Sequence, residues 1–533
     1  MRRQDLQLLA AARQGDLPAR LEVARRYLSG TDGFARHVQT GLDYLQHPGL
    51  RNHLPAMRTL VDNLSLHELI ERGLLSTLVQ AAELDHAAAQ AKLAAWRLTR
   101  PGGWADARCW LQRSAGAGLS VHLLGADNIT HDTCVQSDPP AIDATAPDAD
   151  ERAAMCFESL ARAGVFDPGL LLGLAIQRAM VRDDAQRACW CLALAARCLP
   201  SASAGLAQAA VQVLALASRC GGPLTPVPVA WIEAALQRRA ADGDPQAIYL
   251  LGCALSGLAC GACGADALVN HGNLRKGLAL LLRAADAGMT QSWMHLYRLS
   301  ADHRSSVSNP PMARFFLEKA AQQGDAVAQR MLGALTLRES GSLAASEQAL
   351  HWLHQAGAQG DALAHRLLAT LVLPVTGEEQ AATAALQAIG QAEPALAARL
   401  AVARQFGLTK LETLSFDPAT SIRPWGLVIG INPHIRKQRL AAARAVPALN
   451  PAAMTALRTA AGLFGRDDRR AAQGPGDMQR RARSMQRLFE RTGAQESSFF
   501  AQASANTLET LRQGPKWAWR VRSELRLALQ CPA

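Results

Sequence analysis

The sequence predicts an all-α fold: an α/α superhelical solenoid of stacked helix pairs, followed by a basic helical C-terminal segment. Three observations predict it. A phrase of the form Ala-x-x-Gly-Asp-x-x-Ala-Gln-x-x-Leu-Gly returns along the chain, clearest from Ala240 to Gly252, from Ala320 to Gly333 and from Gly357 to Ala369. Its lead glycines, Gly243, Gly288, Gly324 and Gly360, are spaced by 45, 36 and 36 residues, a fixed period of the kind that marks a stacked repeat array. The third observation is charge: residues from Ser415 onward carry 19 Lys and Arg against 8 Asp and Glu, a net of +11 that equals the net charge of the whole chain. The repeat region is therefore neutral.

Each repeat follows from its residue types. Gly324 closes the apolar helix RFFLEKAAQQ, where a left-handed terminating residue suits glycine, and Asp325 then stands at the start of the next helix as its cap. Gly324 is expected at positive φ and Asp325 as acceptor of a backbone N–H. Ala328, Leu332 and Gly333 fall on one helix face, small enough for a neighbouring helix to approach closely. The second helix supplies the opposing face through Ala349, Trp352, Leu353 and Ala356, a scheme repeated around Leu281 and Trp110. Neither helix pair buries its apolar face alone, so the units must stack.

This combination, Gly-Asp-x-x-Ala-Gln-x-x-Leu-Gly followed by Ala-x-x-Trp-Leu-x-x-Ala in a second helix, resembles the Sel-one-like repeat family of tetratricopeptide-like helical repeats. The 36-residue period favours it over the tetratricopeptide repeat proper, at about 34. The resemblance implies a scaffold or adaptor, and it implies that the first helix of each pair lines a concave partner surface.

In chain order, residues 1–133 form a partly degenerate N-terminal block opened by QGDLPARLEVARRYLSG, with DHAAAQAKLA from Asp85 as another fragment. Residues 134–150 are acidic and Pro-containing, a linker. Residues 151–373 are the repeat array proper, best at 240–373, and 374–414 add further capping helices. About eleven helix pairs fit in residues 1–414 at this period. Residues 415–533 are the basic segment, expected helical with flexible stretches.

Composition narrows the function. Hydrophobic residues at 49% with 19% charged is a globular balance, and 50 Arg against 6 Lys beside abundant Ala suggests a GC-rich bacterial source. The N-terminal apolar stretch is broken by Gln4, Asp5, Gln7 and Arg13, and the most apolar stretch, from Cys189, is broken by Arg197 and Pro200. A cytoplasmic protein without a membrane span is expected, and eleven cysteines fit a reducing compartment. No phosphate-binding loop, His-Glu-x-x-His or Gly-x-Ser-x-Gly occurs, so no catalytic residues and no cofactor are expected. Cys253, Cys260, Cys263 and His271 are weak zinc candidates, without the usual second pair at finger-like spacing; a small-residue loop is the alternative. His351 and His354 share a helix face with no further ligand evident.

A protein or peptide partner is expected on the first helices of the repeats. Counting from each lead glycine places Arg298, Arg330 and Arg366 in consecutive units as a basic stripe for a carboxylate of a bound peptide, with Tyr249 and Met294 supplying apolar contact. The basic segment offers the alternative of nucleic-acid association. Its GPGDMQRRARSMQRLFERTG stretch sets Met478, Ala482, Met485 and Phe489 against several arginines, the pattern equally of a packed capping helix with a solvated Arg face. Trp517 and Trp519 lie two apart on a helix, so one faces a core and leaves the other for a partner.

Overall fold

Why the lead position of each repeat needs glycine is visible in the backbone. In the computed structural model, which describes residues 3–51, 53–116, 148–220, 227–259, 264–430, 443–467, 475–512 and 514–530, Gly15, Gly243, Gly288, Gly324 and Gly360 all adopt φ between +86° and +100°. The aspartate after four of them caps the next helix: Asp16, Asp244, Asp325 and Asp361 each accept a hydrogen bond from a first-turn backbone N–H, at 2.8 Å for Ala328 onto Asp325. The helix stop and helix start expected at Gly-Asp are thus both present.

The same geometry persists where the glycine is gone. Asp85 and Asp183 take φ of +56° and +52° between successive helices, and Asp184 caps the helix that follows Asp183. Aspartate tolerates the left-handed region better than most residues do. These units keep the turn after losing its most legible letter.

The motif glutamine has a structural task too. Gln90 and Gln329 donate from Nε2 to the carbonyls of Ala82 and Ala321, at 3.0 and 3.1 Å, each carbonyl lying three residues before the lead position. Those carbonyls belong to the last turn of the preceding helix, where each also takes the N–H of the lead residue in a tightened turn, so the glutamine amide adds a second donor. In the third copy His365 replaces glutamine and its Nε2 reaches the carbonyl of Gly357 at 3.1 Å, again three residues before the lead glycine.

The chain divides into two compact units, residues 1–295 and 296–533. The first is a succession of helices from Arg3–Arg13 to Leu274–Asp286, most of which pack on their neighbours in sequence. Small residues set the spacing. A Cβ on Gly252 would lie 3.1 Å from Leu281, and one on Gly277 would lie 2.9 Å from the carbonyl of Gly252, so the Pro245–Leu255 and Leu274–Asp286 helices meet backbone to backbone. Asp5, Glu22, Arg25 and Arg26 form an ion network near the start of this unit, and the Arg25 hydrogen bond, working against burial, draws the Glu22 carboxyl down to about 2.

In the second unit the helices Pro310–Gln322, Ala326–Glu339, Leu343–Ala358 and Ala362–Ala369 continue the repeat. Gly333 lies against the next helix so closely that a Cβ there would be 2.7 Å from Leu353 and 3.0 Å from the carbonyl of Ala349. Helices Glu379–Ala392 and Pro394–Gln405 follow.

The basic segment contains an element that the helical reading did not anticipate. Ile422–Arg423 (β1), Gly426–Ile429 (β2) and Arg444–Pro447 (β3) form an antiparallel sheet in the order β1-β2-β3, with Leu427 opposite Val446. Strands β2 and β3 are wholly buried. Gly426 admits the close pairing, since a Cβ would sit 2.2 Å from the carbonyl of Val446. Arg444 carries a cation into this core and meets Glu412 through two bonds, Nε to Oε1 at 2.8 Å and Nη2 to Oε2 at 3.1 Å. Glu412 also completes the capping box of the Lys410–Ser415 helix with Thr409, so both charges are hydrogen-bonded as burial requires.

Candidate functional site

The helices started by Gly-Asp in the second unit, Ala326–Glu339 and Ala362–Ala369, present a shared face on which a later stretch of the same unit lies. That stretch comprises the short helices Pro515–Arg520 and Arg522–Ala528. Trp517 is its anchor. The indole is 0% exposed, packed in one cluster with Ala334, Leu337, Leu367, Leu368 and Leu371, and its Nε1 donates to Thr370 Oγ1 at 3.2 Å. Val521, Leu525 and Ala528 continue the buried side at helical spacing. Gly514, at φ +99°, donates its N–H to the carbonyl of Leu337 at 2.8 Å and turns the chain onto the face.

Two arginines of the repeats hold the far end. Arg330, 5% exposed, reaches Asp361 through Nη1 at 2.9 Å and turns its remaining donors on the docked segment. Nε meets the carbonyl of Ala528 and Nη2 that of Gln530, each at 2.9 Å. These are carbonyls at a helix C-terminus, where partial negative charge accumulates and a cation is favoured. Arg366 pairs with Glu524 at 2.9 Å on the exposed rim. Asp361 serves twice, capping its own helix through Oδ1 and holding Arg330 through Oδ2. The cation is thereby positioned by the repeats themselves.

The five residues expected to form the partner site fare differently. Arg330 and Arg366 come together on the docked segment of their own chain. Arg298 is half-buried on the Gln291–Ala301 helix. Tyr249 and Met294 are buried in the first unit, so the apolar contact expected of them is not at the surface; Tyr249 bonds His295 Nε2 through its hydroxyl at 3.0 Å. Of the weak zinc candidates, Cys253 is buried within a helix and His271 is exposed, while Cys260 and Cys263 lie outside the described residues. Among the described residues no group of three or more His, Cys, Asp or Glu is placed to hold a metal ion. His354 is half-buried, and burial first, then His351 and His365, pushes its pKa below the ordinary value.

The basic segment uses many of its charges internally. Arg423 pairs with Glu347, Arg444 with Glu412 and Lys516 with Glu509, and Arg481 donates to the carbonyl of Leu414. On the Pro475–Thr492 helix Met485, Leu488 and Phe489 are buried, whereas Arg483, Arg487 and Arg491 are exposed. Trp519, 73% exposed, carries the guanidinium of Arg522 at 5.2 Å over its ring, opposite in fate to Trp517. No helix of the described residues is long and apolar enough to cross a membrane.

No family model and no curated protein matches the chain. Solved structures similar to it include the following two. One is a protective antigen of uropathogenic Escherichia coli strains displaying an SLR fold, at 19% identity, covering 94% of this chain and 98% of that one with a TM-score of 0.27. The other is a Sel1 repeat protein from Oxalobacter formigenes, at 20% identity, covering 69% and 90% with a TM-score of 0.25. The architecture stands on the chain's own helix pairs: with the positive-φ lead residue and the aspartate cap that follows it, they are stacked helical repeats.

Proposed function

We propose that the protein is a non-catalytic scaffold or adaptor of the cytoplasm, binding protein partners through the Gly-Asp-started helices of its repeats. One observation carries this reading. Those helices in the second unit already hold a helical segment, through an aromatic anchor and two arginines. Backbone carbonyls, a carboxylate and a buried indole are the groups by which a helical peptide is recognised. Burial pushes Cys156 and Cys191 up to about 12 and Cys198 to about 11, the reverse of the depressed pKa that an activated nucleophile needs.

A second reading, nucleic-acid association, rests on Arg483, Arg487 and Arg491, exposed at intervals of four on one helix face. It ranks second because much of the remaining charge of the segment is paired internally. Pull-down of the tagged full chain, with mass spectrometry and nuclease controls, separates the two. Recovery of protein partners that survives nuclease supports the scaffold. Recovery of nucleic acid alone, lost steeply with salt and on Arg483→Gln/Arg487→Gln/Arg491→Gln, overturns it.

A further inference from the structure

We propose that residues 514–530 are a tethered, exchangeable ligand of the repeat face, and that its outside partner is a helical peptide of the same chemistry. That peptide presents an aromatic residue, an aliphatic residue four positions on, an acid and an aliphatic pair member at seven and eight, and a small residue at eleven, ending its helix on Arg330. The pattern is the one that Trp517, Val521, Glu524, Leu525 and Ala528 display. This rests on the scaffold reading and names the partner class for the same face.

The docked segment has the character of a ligand. Its two helices are six and seven residues long, below the length at which an isolated helix holds itself in water. They are therefore helical because they are docked. The face, by contrast, is built without them: Arg330 is fixed by Asp361, and Asp361 by its capping bond to Ala364. Arg330 is also why exchange is favoured over simple opening. Removal of the segment deprives Nε and Nη2 of the carbonyls of Ala528 and Gln530 and leaves them to solvent, whereas a second occupant with oxygens in the same place restores both charge-assisted bonds.

The two arginines divide recognition between them. Arg330 reads the end of a helix whatever its sequence, since it contacts only main-chain oxygens of the segment. Arg366 reads a side chain, Glu524, on the exposed rim, where a pair adds selectivity more than affinity. Trp517 supplies the buried apolar anchor. Because the segment is covalently attached, it competes at an effective concentration of the order of millimolar. An outside helix must therefore outcompete it or meet a chain in which it is weakened.

The test uses the full chain and a fluorescent synthetic peptide of residues 512–533, read by anisotropy. The wild-type chain should bind the peptide weakly. Full chain carrying Trp517→Ala should bind it at least roughly tenfold more tightly, and adding Arg330→Gln should remove that gain. A charge exchange guards against misfolding of those variants: a chain with Arg366→Glu should prefer a peptide with Glu524→Lys over the wild-type peptide by about fivefold, and the wild-type chain should show the opposite preference. Absence of peptide binding to every variant that keeps its helical circular dichroism and melting transition overturns the proposal, as does binding indifferent to Arg330→Gln and to the charge exchange. The scaffold reading fails separately. If pull-down yields no protein partner while the peptide exchanges as described, the scaffold falls and the exchange stands; if partners are captured and neither Arg330→Gln nor excess peptide releases them, the reverse holds.

Discussion

Position 183 is the residue at which the repeat grammar is best tested, because aspartate there does what glycine does at Gly324. At φ +52° Asp183 bears a side chain in the left-handed region, and a glycine in its place would bear none. We therefore expect Asp183→Gly to raise stability by up to about 1 kcal/mol, and Gly324→Ala to lower it by about 1 kcal/mol with no clash, since nothing lies within 4 Å of the added Cβ. Thermal melts of both variants check this; shifts of the same sign would sink it. Gln90 offers a second test. Replacement by His should keep the bond to the carbonyl of Ala82, as His365 keeps its own to Gly357, whereas Gln90→Leu removes it and leaves that carbonyl only its backbone partner, the N–H of Asp85, at about 0.5–1.5 kcal/mol. At this scale the sequence was legible only where the letters repeated. Lead glycines and capping aspartates announced themselves, but Asp183 did not, because the backbone keeps a conformation while the sequence keeps only a residue type. The role of the glutamine needed the carbonyl that it reaches.

At the scale of elements, helix pairs depend on close approach. Leu332→Ala should cost about 2–5 kcal/mol through the cavity it leaves, and Gly333→Val should cost about 1–3 kcal/mol by forcing Leu353 away. The Leu343–Ala358 helix also carries a pH response. His354 has its folded pKa depressed by burial and by His351 and His365, so the folded state binds fewer protons than the unfolded chain. The stability that this contributes is present above the ordinary histidine pKa and is lost as pH falls below it. His354→Gln should flatten the melting temperature between about pH 7 and pH 5.5 relative to wild type; an unaltered slope would count against it. The sheet was the element that sequence reasoning missed. Its signal was Trp425-Gly-Leu-Val-Ile-Gly430, a short apolar, β-branched run between glycines, too brief to separate from a buried helix turn by periodicity. Arg444 hid it further, since a cation in a strand reads as surface until Glu412 is placed beside it. Glu412→Ala should cost about 3–5 kcal/mol by leaving that guanidinium buried and unpaired.

For the molecule as a whole, two compact units of largely local contacts predict unfolding in more than one step. Phe157→Ala, in the first unit, and Leu368→Ala, in the second, should each shift a different part of a denaturant transition. A single transition shifted alike by both would refute independent units. The face that Arg330 and Arg366 share was legible in part, and for a reason that belongs to this scale. Counting residues from a lead glycine singles out Arg330 and Arg366, yet nothing in the period says what they hold, because the answer lies in a stretch outside the repeats. Tyr249 and Met294 were misplaced by the same counting, which gives a position on a helix but not the helix packed against it.

Arg330 also has a chronology. The oxygens that satisfy it belong to Ala528 and Gln530, 198 and 200 residues further along the chain. A ribosome adding about 5–20 residues per second needs roughly 10–40 s to reach them after Arg330 has been made. Once Asp361 and the Ala362–Ala369 helix have been made, the repeats, folding from local contacts, expose this face with Nε and Nη2 of Arg330 still without those carbonyls. A nascent chain is consequently at its most receptive to a helical partner before its own segment exists, and assembly during synthesis would meet no competitor.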